Sequence, residues 1–311
     1  MVHAVSGHRM VVVPDGTRLA VRVVGPRARG EPASAERVVL CDGISCDGFI
    51  WRHLEPHLAR RLDVLHPNYR GHGRSGLPRN PDAATLPHLA DDVVRVMDEA
   101  GFEDAVFIGH SMGVQVTLEV ALRHPDRVRG AALFNGAPGR VLDTFKGTDL
   151  GARVLPIIDR VAHHFRGALS SVVRGLLGSP VAYAVAALTE IKGDKIGPRD
   201  LQPYLDHFAR MPIDLFTTLL ADASERTTRP LLQRLACPVL VVAGEDDGFT
   251  PLPVSRVLAE SVPGAELVVV PGTSHTAPLE APAAFEHALE RFLDALPPRG
   301  AGAPVAWPRW A

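Results

Sequence analysis

A serine in a tight, glycine-flanked turn is the first residue whose surroundings indicate chemistry. The segment Gly109-His110-Ser111-Met112-Gly113 matches the pattern G-x-S-x-G and comes directly after the apolar run Ala105–Ile108. A helical pattern, Val114–Leu122, follows it, so the serine is predicted to lie in a strand–turn–helix unit. Such a turn has room only for glycine beside the serine, exposes the hydroxyl and places a helix N-terminus beneath it. The pattern therefore predicts a nucleophilic hydroxyl at Ser111.

A serine hydroxyl is too weakly acidic to attack unaided at neutral pH, so it needs a histidine base and an acid that orients the base. His275 fits this role among the fourteen histidines, because it lies in a loop directly after the apolar run Glu266–Val270. The tight turn is expected to direct the side chain of His110 away from Ser111. Five other histidines fall in helical patterns, namely His53, His57, His88, His124 and His287.

An acidic loop follows another predicted strand. The run Val239–Val242 leads through Gly244 into Glu245, Asp246 and Asp247. We prefer Asp247 as the orienting acid, because it lies past the strand end in a loop that the following glycine and proline allow to reach the histidine. Glu245 and Asp246 remain alternatives for this role.

Eight short apolar or β-branched runs can form the strands that position these residues. In chain order they are Met10–Val13, Leu19–Val24, Val38–Leu40, Leu62–His66, Ala105–Ile108, Val128–Phe134, Val239–Val242 and Glu266–Val270. The segment Pro14-Asp15-Gly16-Thr17 has turn chemistry, so the first two runs are predicted to form an antiparallel hairpin. The later runs are nearly all apolar and alternate with helical patterns, such as that of residues 86–100. This alternation indicates an α/β fold with a parallel sheet covered by helices.

Residues 139–230 interrupt this alternation. They contain no convincing strand and several helical stretches punctuated by glycine and proline. They either pack only on each other and on the sheet, or form a lid that lines a ligand site. Three of their runs are more apolar than a solvated surface requires, namely Leu150–Ile158, Ala168–Leu177 and Val181–Leu188. The chain is thus predicted to consist of a core segment 1–138, a helical cap 139–230, a second core segment 231–296 and a Pro/Gly-rich tail 297–311.

Composition and charge restrict the classes of function. The 311 residues are 46% hydrophobic and 22% charged, which is typical of a globular protein rather than a disordered or fibrous one. The 33 Lys and Arg nearly balance the 35 Asp and Glu, so neither a nucleic acid nor an anionic membrane is expected as a partner. Three cysteines without a CxxC pair predict neither a metal site nor a disulfide framework. Without a secretory signal or an apolar run long enough to span a bilayer, the expected location is cytoplasmic.

Two further segments carry a likeness to a known family. Residues 68–75 read Asn-Tyr-Arg-Gly-His-Gly-Arg-Ser and are similar to an RGHGRS loop, and residues 124–128 are similar to a connector that follows the elbow helix. Together with the order Ser111, Asp247, His275, they make the chain resemble the α/β-hydrolase-fold family, esterase-like and lipase-like serine hydrolases with a helical cap. The resemblance covers about residues 5–296 and implies an eight-stranded, mostly parallel sheet flanked by helices. It also implies that His72 belongs to the loop architecture.

The same resemblance implies an oxyanion hole formed by the backbone amides of Ile44 and Met112. Family members commonly carry His-Gly before the first of these amides, whereas this chain carries Asp42-Gly43. Because Gly43 is retained, the backbone can still make the turn. A carboxylate here would disfavour the developing negative charge unless Asp42 is turned away or paired.

Ser111 at the elbow argues against two classes of enzyme in the family that the chain resembles. These are the haloalkane dehalogenases and the epoxide hydrolases, which carry aspartate at that position. The hypothesis is a serine hydrolase that cleaves a small to medium apolar carboxylic ester through an acyl-enzyme, without metal or organic cofactor. Lactone hydrolysis, carbon–carbon bond hydrolysis and cofactor-free perhydrolysis use the same triad and remain alternatives. From another class, the chain could be a ligand receptor with slow turnover. The expected pocket walls, each of which could instead be plain core, are Trp51, Met112, Phe134, Phe249 and Leu215 or Phe216.

Overall fold

The computed structural model describes residues 8–32, 36–80, 83–142, 150–164, 171–172, 175–176 and 191–297. The strands of this part of the chain are β1 (Arg9–Val12), β2 (Arg18–Val24), β3 (Arg37–Cys41), β4 (Asp63–Pro67), β5 (Ala105–His110), β6 (Val128–Phe134), β7 (Val239–Gly244) and β8 (Glu266–Val270). Its α-helices of four or more residues are α1 (Leu54–Leu58), α2 (Leu86–Ala100), α3 (Met112–Arg123), α4 (Leu150–His164), α5 (Pro198–Arg210), α6 (Ile213–Glu225), α7 (Leu252–Ser261), α8 (Ala277–Glu280) and α9 (Pro282–Asp294).

The eight strands form one sheet in the order β1-β2-β4-β3-β5-β6-β7-β8. Strand β2 pairs antiparallel with β1 and β4, and all other pairs are parallel. This confirms the predicted mostly parallel sheet and the predicted hairpin at its start. The strands begin or end one or two residues away from several of the predicted runs, because ladder hydrogen bonds extend past the apolar residues that mark a strand in sequence. Strand β5, for example, continues to His110.

Side-chain alternation along the strands divides the core into layers. Val39 of β3 and Phe107 of β5 face one cluster, which also contains residues of α2 and α3. Val38 and Ile108, from the same two strands, face another cluster, which contains residues of α1 and α9. Because successive strand residues point to opposite faces, apolar runs of this kind are buried on both sides. Helices therefore cover both faces of the sheet, as the sequence predicts.

Helix α2 has the predicted bounds, and it anchors the loop that follows β4. Its residue Asp92 is charged but lies buried, whereas aspartate is mostly found on protein surfaces. The reason is Arg70, whose guanidinium donates two hydrogen bonds of 2.7 Å to the Asp92 carboxylate. Arg70 also donates to Asp15 at 2.9 Å. A buried charge that is paired with bidentate geometry is tolerated in a core.

Between β6 and β7 the described residues contain helices α4, α5 and α6 and no strand of the sheet. Helix α6 contacts the core directly, since the carbonyl of Ala223 accepts a hydrogen bond from Gln115 of α3 at 2.9 Å. An isolated antiparallel bridge joins Gly139 to Thr227, near the two ends of this segment. The predicted run Val181–Leu188 and most of Ala168–Leu177 lie outside the described residues.

The predicted tail, residues 297–311, lies outside the described residues except for its first residue. The carbonyl of Pro297 accepts a hydrogen bond from Arg129 of β6 at 2.9 Å. In the described part of the chain, no helix combines the length and the apolar character needed to cross a bilayer.

Candidate active site

The predicted site residues lie at the carboxyl ends of the parallel strands. Ser111 follows β5, Asp247 lies in the loop after β7, and His275 lies in the loop after β8. Strand β3 lies between β4 and β5 in the sheet, and its last residue, Cys41, pairs with Gly109 of β5. The strand order reverses here, because the chain passes from β3 to β4 on one side and later to β5 on the other. Ligands of open α/β sheets bind at such reversals of strand order, outside the carboxyl ends of the strands. The topology alone therefore brings the three side chains to one edge of the sheet.

The turn around Ser111 is tight for steric reasons. Ser111 has a φ of 56° and a ψ of −121°, a conformation that is strained for a residue with a side chain. A Cβ atom at Gly113 would lie 2.0 Å from the carbonyl oxygen of Cys41, and one at Gly109 would lie 2.4 Å from the carbonyl oxygen of Gly113. Glycine is thus required at both flanking positions. The amide of Ser111 donates to the carbonyl of Phe134 at 3.1 Å, which holds the turn against β6.

The three predicted side chains form a continuous hydrogen-bonded series. Nε2 of His275 lies 3.0 Å from Oγ of Ser111. Nδ1 of the same ring lies 3.0 and 3.1 Å from the two carboxylate oxygens of Asp247. With the proton on Nδ1 held by the carboxylate, Nε2 presents a lone pair to the serine hydroxyl.

Asp247, and not either of its acidic neighbours, contacts the histidine. Its side chain is fully buried, and burial by itself raises the pKa of a carboxyl. The adjoining His275 and hydrogen bonds from Thr250 and Asn135 outweigh burial and lower the pKa of Asp247 to about 2. Asp246 is instead half exposed and pairs with Lys192 at 2.8 Å. Asp247 is therefore held as an anion at neutral pH.

Two residues that orient Asp247 were not predicted from the sequence. Asn135 donates through Nδ2 to Asp247 at 2.9 Å and to the carbonyl of Ser274 at 3.1 Å. Thr250 donates to Asp247 through both its amide, at 2.9 Å, and its hydroxyl, at 2.8 Å. A signal for Asn135 was present, because it follows β6 directly and asparagine tolerates its positive φ of 46°.

His110 lies beside the nucleophile but binds the backbone of the other histidine. Its Nε2 and the carbonyl oxygen of His275 are 2.9 Å apart, so the ring donates there. Burial, together with the neighbouring His275, lowers the pKa of His110 to about 3, and the ring is neutral. The loop is fixed from its other side as well, since Glu280 accepts from the amide of Ser274 at 2.7 Å and from the hydroxyl of Thr276 at 2.6 Å. His275 is thus held at its backbone as well as at its ring.

The turn after β3 abuts the nucleophile, as the predicted oxyanion hole requires. A Cβ atom at Gly43 would lie 3.1 Å from Cβ of Ser111. His72 holds this turn, because its Nε2 accepts from the amide of Ser45 at 3.1 Å while its Nδ1 donates to a backbone carbonyl. Burial lowers the pKa of His72 to about 4, so the ring stays neutral and keeps this acceptor. Met112 is the first residue of α3, where backbone amides have no partner within the helix.

Asp42 is buried and paired, which answers the concern that its charge raises. Its Oδ1 accepts from Nε1 of Trp51 at 2.6 Å, and its Oδ2 lies 2.8 Å from Nε2 of His66. Burial opposes the charged form of His66, but the Asp42 carboxylate outweighs it and the pKa of His66 is raised. The carboxylate of Asp42 is therefore paired with both Trp51 and His66 behind the turn.

Two cavities adjoin Ser111. The larger, of about 640 Å³, is lined almost entirely by apolar side chains, including Met112, Phe216 and Phe249. The smaller, of about 140 Å³, adjoins His110 and His275. The expected walls Met112, Phe216 and Phe249 are thus correct. Trp51 and Phe134 line neither cavity and pack in a core cluster, and Leu215, the alternative to Phe216, packs in another. These three residues are core, which is the other interpretation that the sequence left open.

This arrangement can activate a serine hydroxyl and stabilise an anion beside it. The hydroxyl, the imidazole and the carboxylate follow one another at hydrogen-bond distance, which is the geometry of nucleophilic catalysis with a general base. Among the residues that the structure describes, no group of three or more His, Cys, Asp and Glu could hold a metal ion.

Comparisons with known proteins agree with this geometry. A family model described as alpha/beta hydrolase fold matches residues 36–282. RutD of Caulobacter sp. (strain K31), which is named as a carbamate hydrolase, is 30% identical over 268 residues, covering 85% of this chain and 93% of its own.

Solved structures agree in the same way. A hydrolase from Pseudomonas aeruginosa PA01 superposes with a TM-score of 0.73 at 26% identity and covers 94% of this chain and 100% of its own. The enol-lactonase from Burkholderia xenovorans LB400 gives a TM-score of 0.69 at 25% identity and covers 92% and 100%. Sequence match, strand order and the turn at Ser111 lead to the same conclusion: the chain belongs to the alpha/beta hydrolase fold family and is a hydrolase.

Proposed function

We propose that this hydrolase cleaves carboxylic esters through an acyl-enzyme on Ser111. The observation that carries the proposal is the hydrogen-bonded series Ser111, His275, Asp247, with 3.0 Å on either side of the imidazole, in which Ser111 lines a large apolar cavity. A hydroxyl activated in this way attacks acyl carbons. An apolar cavity of this size suits the hydrocarbon part of an ester.

In the first half of the reaction, Oγ of Ser111 forms a bond to the ester carbonyl carbon as its proton passes to Nε2 of His275. The carbonyl oxygen becomes an oxyanion, to which the amides of Ile44 and Met112 donate. The bond from carbon to the alkoxy oxygen then breaks, and that oxygen takes the proton from His275 and leaves as the alcohol.

In the second half, water replaces the alcohol. A water molecule gives a proton to Nε2 of His275 while its oxygen bonds to the acyl carbon. The bond between that carbon and Oγ of Ser111 breaks, and Oγ recovers the proton. The sum is ester plus water giving carboxylic acid plus alcohol. Asp247 stays ionised throughout and stabilises the imidazolium that forms twice in each cycle.

A lactone is a second candidate, since it is a cyclic ester and needs no additional group. The 25% identical enol-lactonase favours it, as does the absence of any charged side chain among the described residues that line the larger cavity. In that reaction the alcohol stays attached to the acid, so one product leaves instead of two. We also propose that helices α4, α5 and α6 act as the cap over the site, because all three contribute side chains to the wall of the larger cavity.

The test is the hydrolysis of methyl esters from acetate to dodecanoate, measured by titration of the released acid, by the wild type, by Ser111→Ala and by a control, Ser261→Ala. The hydroxyl of Ser261 donates a hydrogen bond to the carbonyl of Val257 within its own helix. We expect Ser111→Ala to lose at least about 10³-fold in kcat, whereas Ser261→Ala keeps the wild-type rate. Unchanged turnover in Ser111→Ala would refute the proposed nucleophile. A panel of γ- and δ-lactones, followed by the acid released, decides between open and cyclic esters.

A further inference from the structure

We propose that this enzyme accepts esters of small alcohols, with at most about five non-hydrogen atoms in the leaving group, and that the long part of its substrate is the acyl chain. This inference rests on the proposed ester hydrolysis and adds the direction in which the substrate binds. It follows from two cavities of unequal size that meet at Ser111.

The two cavities share a wall at the reacting centre. Ile44, Ser111, Tyr204 and Phe249 line both of them, so they diverge from the position at which the ester carbonyl carbon must lie. Ile44 also supplies one of the proposed oxyanion amides. A substrate attacked at this point therefore extends one of its two halves into each cavity.

Proton transfer decides which half enters which cavity. His275 has to protonate the alkoxy oxygen as the alcohol departs, so this oxygen lies within hydrogen-bond distance of Nε2. Among the described residues that line the cavities, His275 and Thr276 belong only to the smaller one, and Met112 belongs only to the larger one. The alcohol is therefore directed into the smaller cavity and the acyl chain into the larger.

The volumes set the sizes of the two halves. A group the size of a water molecule occupies roughly 30 Å³, so a cavity of about 140 Å³ holds on the order of five such groups. By the same measure, the larger cavity of about 640 Å³ holds on the order of twenty. A medium-length acyl chain fits the second cavity, and a chain of the same length attached as alcohol does not fit the first.

The walls of the smaller cavity are packed on both sides, which keeps it from widening. Ile50 and Leu201 are almost completely buried in a core cluster. The ring of Phe49 packs on Tyr204 at 5.7 Å, and Arg52, whose guanidinium lies over Phe49, pairs with an aspartate of α5 at 3.1 Å. Side chains that are held in this way would have to leave their rotamers to admit a longer alcohol. The wall of the larger cavity instead includes partly exposed side chains of α4.

Two isomeric esters test the direction of binding. Methyl octanoate and heptyl acetate have the same composition, but the first has its long chain on the acyl side and the second on the alcohol side. Hydrolysis is followed by titration of the released acid, and each kcat/KM is divided by the rate of hydroxide hydrolysis of that ester. We expect methyl octanoate to be preferred by at least about tenfold. Equal or reversed preference, with both activities lost in Ser111→Ala, would overturn this inference and leave the proposed function intact. Hydrolysis of neither ester by the wild type would overturn both.

A pair of matched truncations tests the assignment of the cavities. Leu201 of α5 lines only the smaller cavity, and Leu220 of α6 lines only the larger. With methyl butyrate and hexyl butyrate, which share one acyl group, Leu201→Ala should raise the relative kcat/KM of the hexyl ester about tenfold. Leu220→Ala should leave this ratio within about twofold. The opposite result would overturn the assignment. Circular dichroism checks that each variant folds. If Leu201→Ala does not fold, Leu201→Val is used in its place. The comparison of methyl octanoate with heptyl acetate uses the wild type and does not depend on any variant.

Discussion

At the scale of single residues, the role of Asp247 is the sharpest consequence of the site geometry. Its carboxylate contacts Nδ1 of His275, while the adjacent Asp246 faces Lys192. We expect Asp247→Asn to lower kcat for methyl octanoate by about 10³- to 10⁴-fold with a small change in KM, because an amide in place of the carboxylate favours the wrong tautomer of the imidazole. Asp246→Asn is the control and should retain activity within about twofold. Comparable losses in both variants would contradict the assignment.

The pairing of Asp42 with His66 predicts a pH-dependent stability. Because the pKa of His66 is raised above its ordinary value of 6.5 in the folded chain, its stabilising contribution is complete below that pH. The contribution is lost as pH rises through the raised pKa. We expect Asp42→Asn to lower the free energy of unfolding by about 3 kcal/mol below pH 6, and by less at higher pH, in urea titrations.

The control for this prediction is an exposed pair of the same kind. Asp91 pairs with His124 at 3.2 Å and with Arg123 at the surface. Asp91→Asn should change the unfolding free energy by less than about 1 kcal/mol. A cost of Asp42→Asn that grows with rising pH would contradict a charged His66.

The motif at Ser111 and the positions of His275 and Asp247 after predicted strands selected the three residues, with Glu245 and Asp246 left as alternatives to Asp247. The structure brings Ser111, His275 and Asp247 together. The choice of Asp247 over Asp246 depended on loop length, which is a property of the backbone. Asn135 and His110 were not selected, because they contact Asp247 and the backbone of His275 from segments distant in sequence. Thr250 lies only three residues after Asp247, but its hydrogen bonds depend on the folded path of that loop. The sequence showed that the Asp42 carboxylate would need a partner, but it did not identify His66, which lies 24 residues further along the chain.

At the scale of elements, the turn between β5 and α3 depends on contacts that exclude any side chain. A Cβ atom at Gly113 would meet the carbonyl oxygen of Cys41 at 2.0 Å, and both groups belong to packed elements. We expect Gly113→Ala to lower the free energy of unfolding by about 1–3 kcal/mol and to reduce kcat, because α3 must move away from β3 and takes Ser111 with it. Denaturant unfolding and ester hydrolysis measure the two effects.

Gly76 provides the control for this prediction. A Cβ atom there would meet its nearest neighbour at 3.5 Å, which is an ordinary contact. The hydrogen bond from the amide of residue 76 to the carbonyl of Arg18 is kept. Gly76→Ala should therefore stay within about 0.5 kcal/mol of the wild type. Equal costs for the two substitutions would show that close approach at Gly113 is not what fixes the turn.

All eight strands were predicted from apolar or β-branched runs, and the runs are continuous in β4, β5 and β7, which are buried on both faces. The order in which they pair was not predicted, apart from the hairpin of the first two strands. Pairing depends on packing between residues far apart in the chain, and periodicity carries no information about it. The buried ion pair of Arg70 with Asp92 was missed for the same reason.

At the scale of the whole molecule, helix α6 is joined to the core through Asp222. Its carboxylate accepts a hydrogen bond of 2.8 Å from the amide of Leu86, at the start of α2. We expect Asp222→Ala to lower the free energy of unfolding by about 1 kcal/mol, because the helix loses the acceptor at its N-terminus. The matched control is Asp206→Ala, because Asp206 is exposed and accepts a hydrogen bond from Gln202 within α5. This substitution should lower the free energy of unfolding by less than about 0.5 kcal/mol. Loss of stability in neither variant would contradict this account of the contact between α6 and the core.

The predicted division of the chain at residues 139 and 230 rested on the absence of strand patterns between them. The structure describes α4, α5 and α6 in this range, and their side chains reach the larger cavity. Which apolar residues of such a segment line a cavity could not be derived from composition. Phe216 lines it while its neighbour Leu215 is buried in the core, since adjacent residues of a helix face different directions.

The most direct test of the proposed chemistry is covalent capture of the nucleophile by diethyl fluorophosphate. The oxygen of an activated serine displaces fluoride and keeps the diethylphosphoryl group. Mass spectrometry of the intact chain and of its peptides should find one such group, on Ser111, formed in proportion to the loss of esterase activity. Labelling should be absent in Ser111→Ala and at least about 10³-fold slower in His275→Ala. Inactivation with the group on another residue, or labelling of His275→Ala at the wild-type rate, would contradict the account.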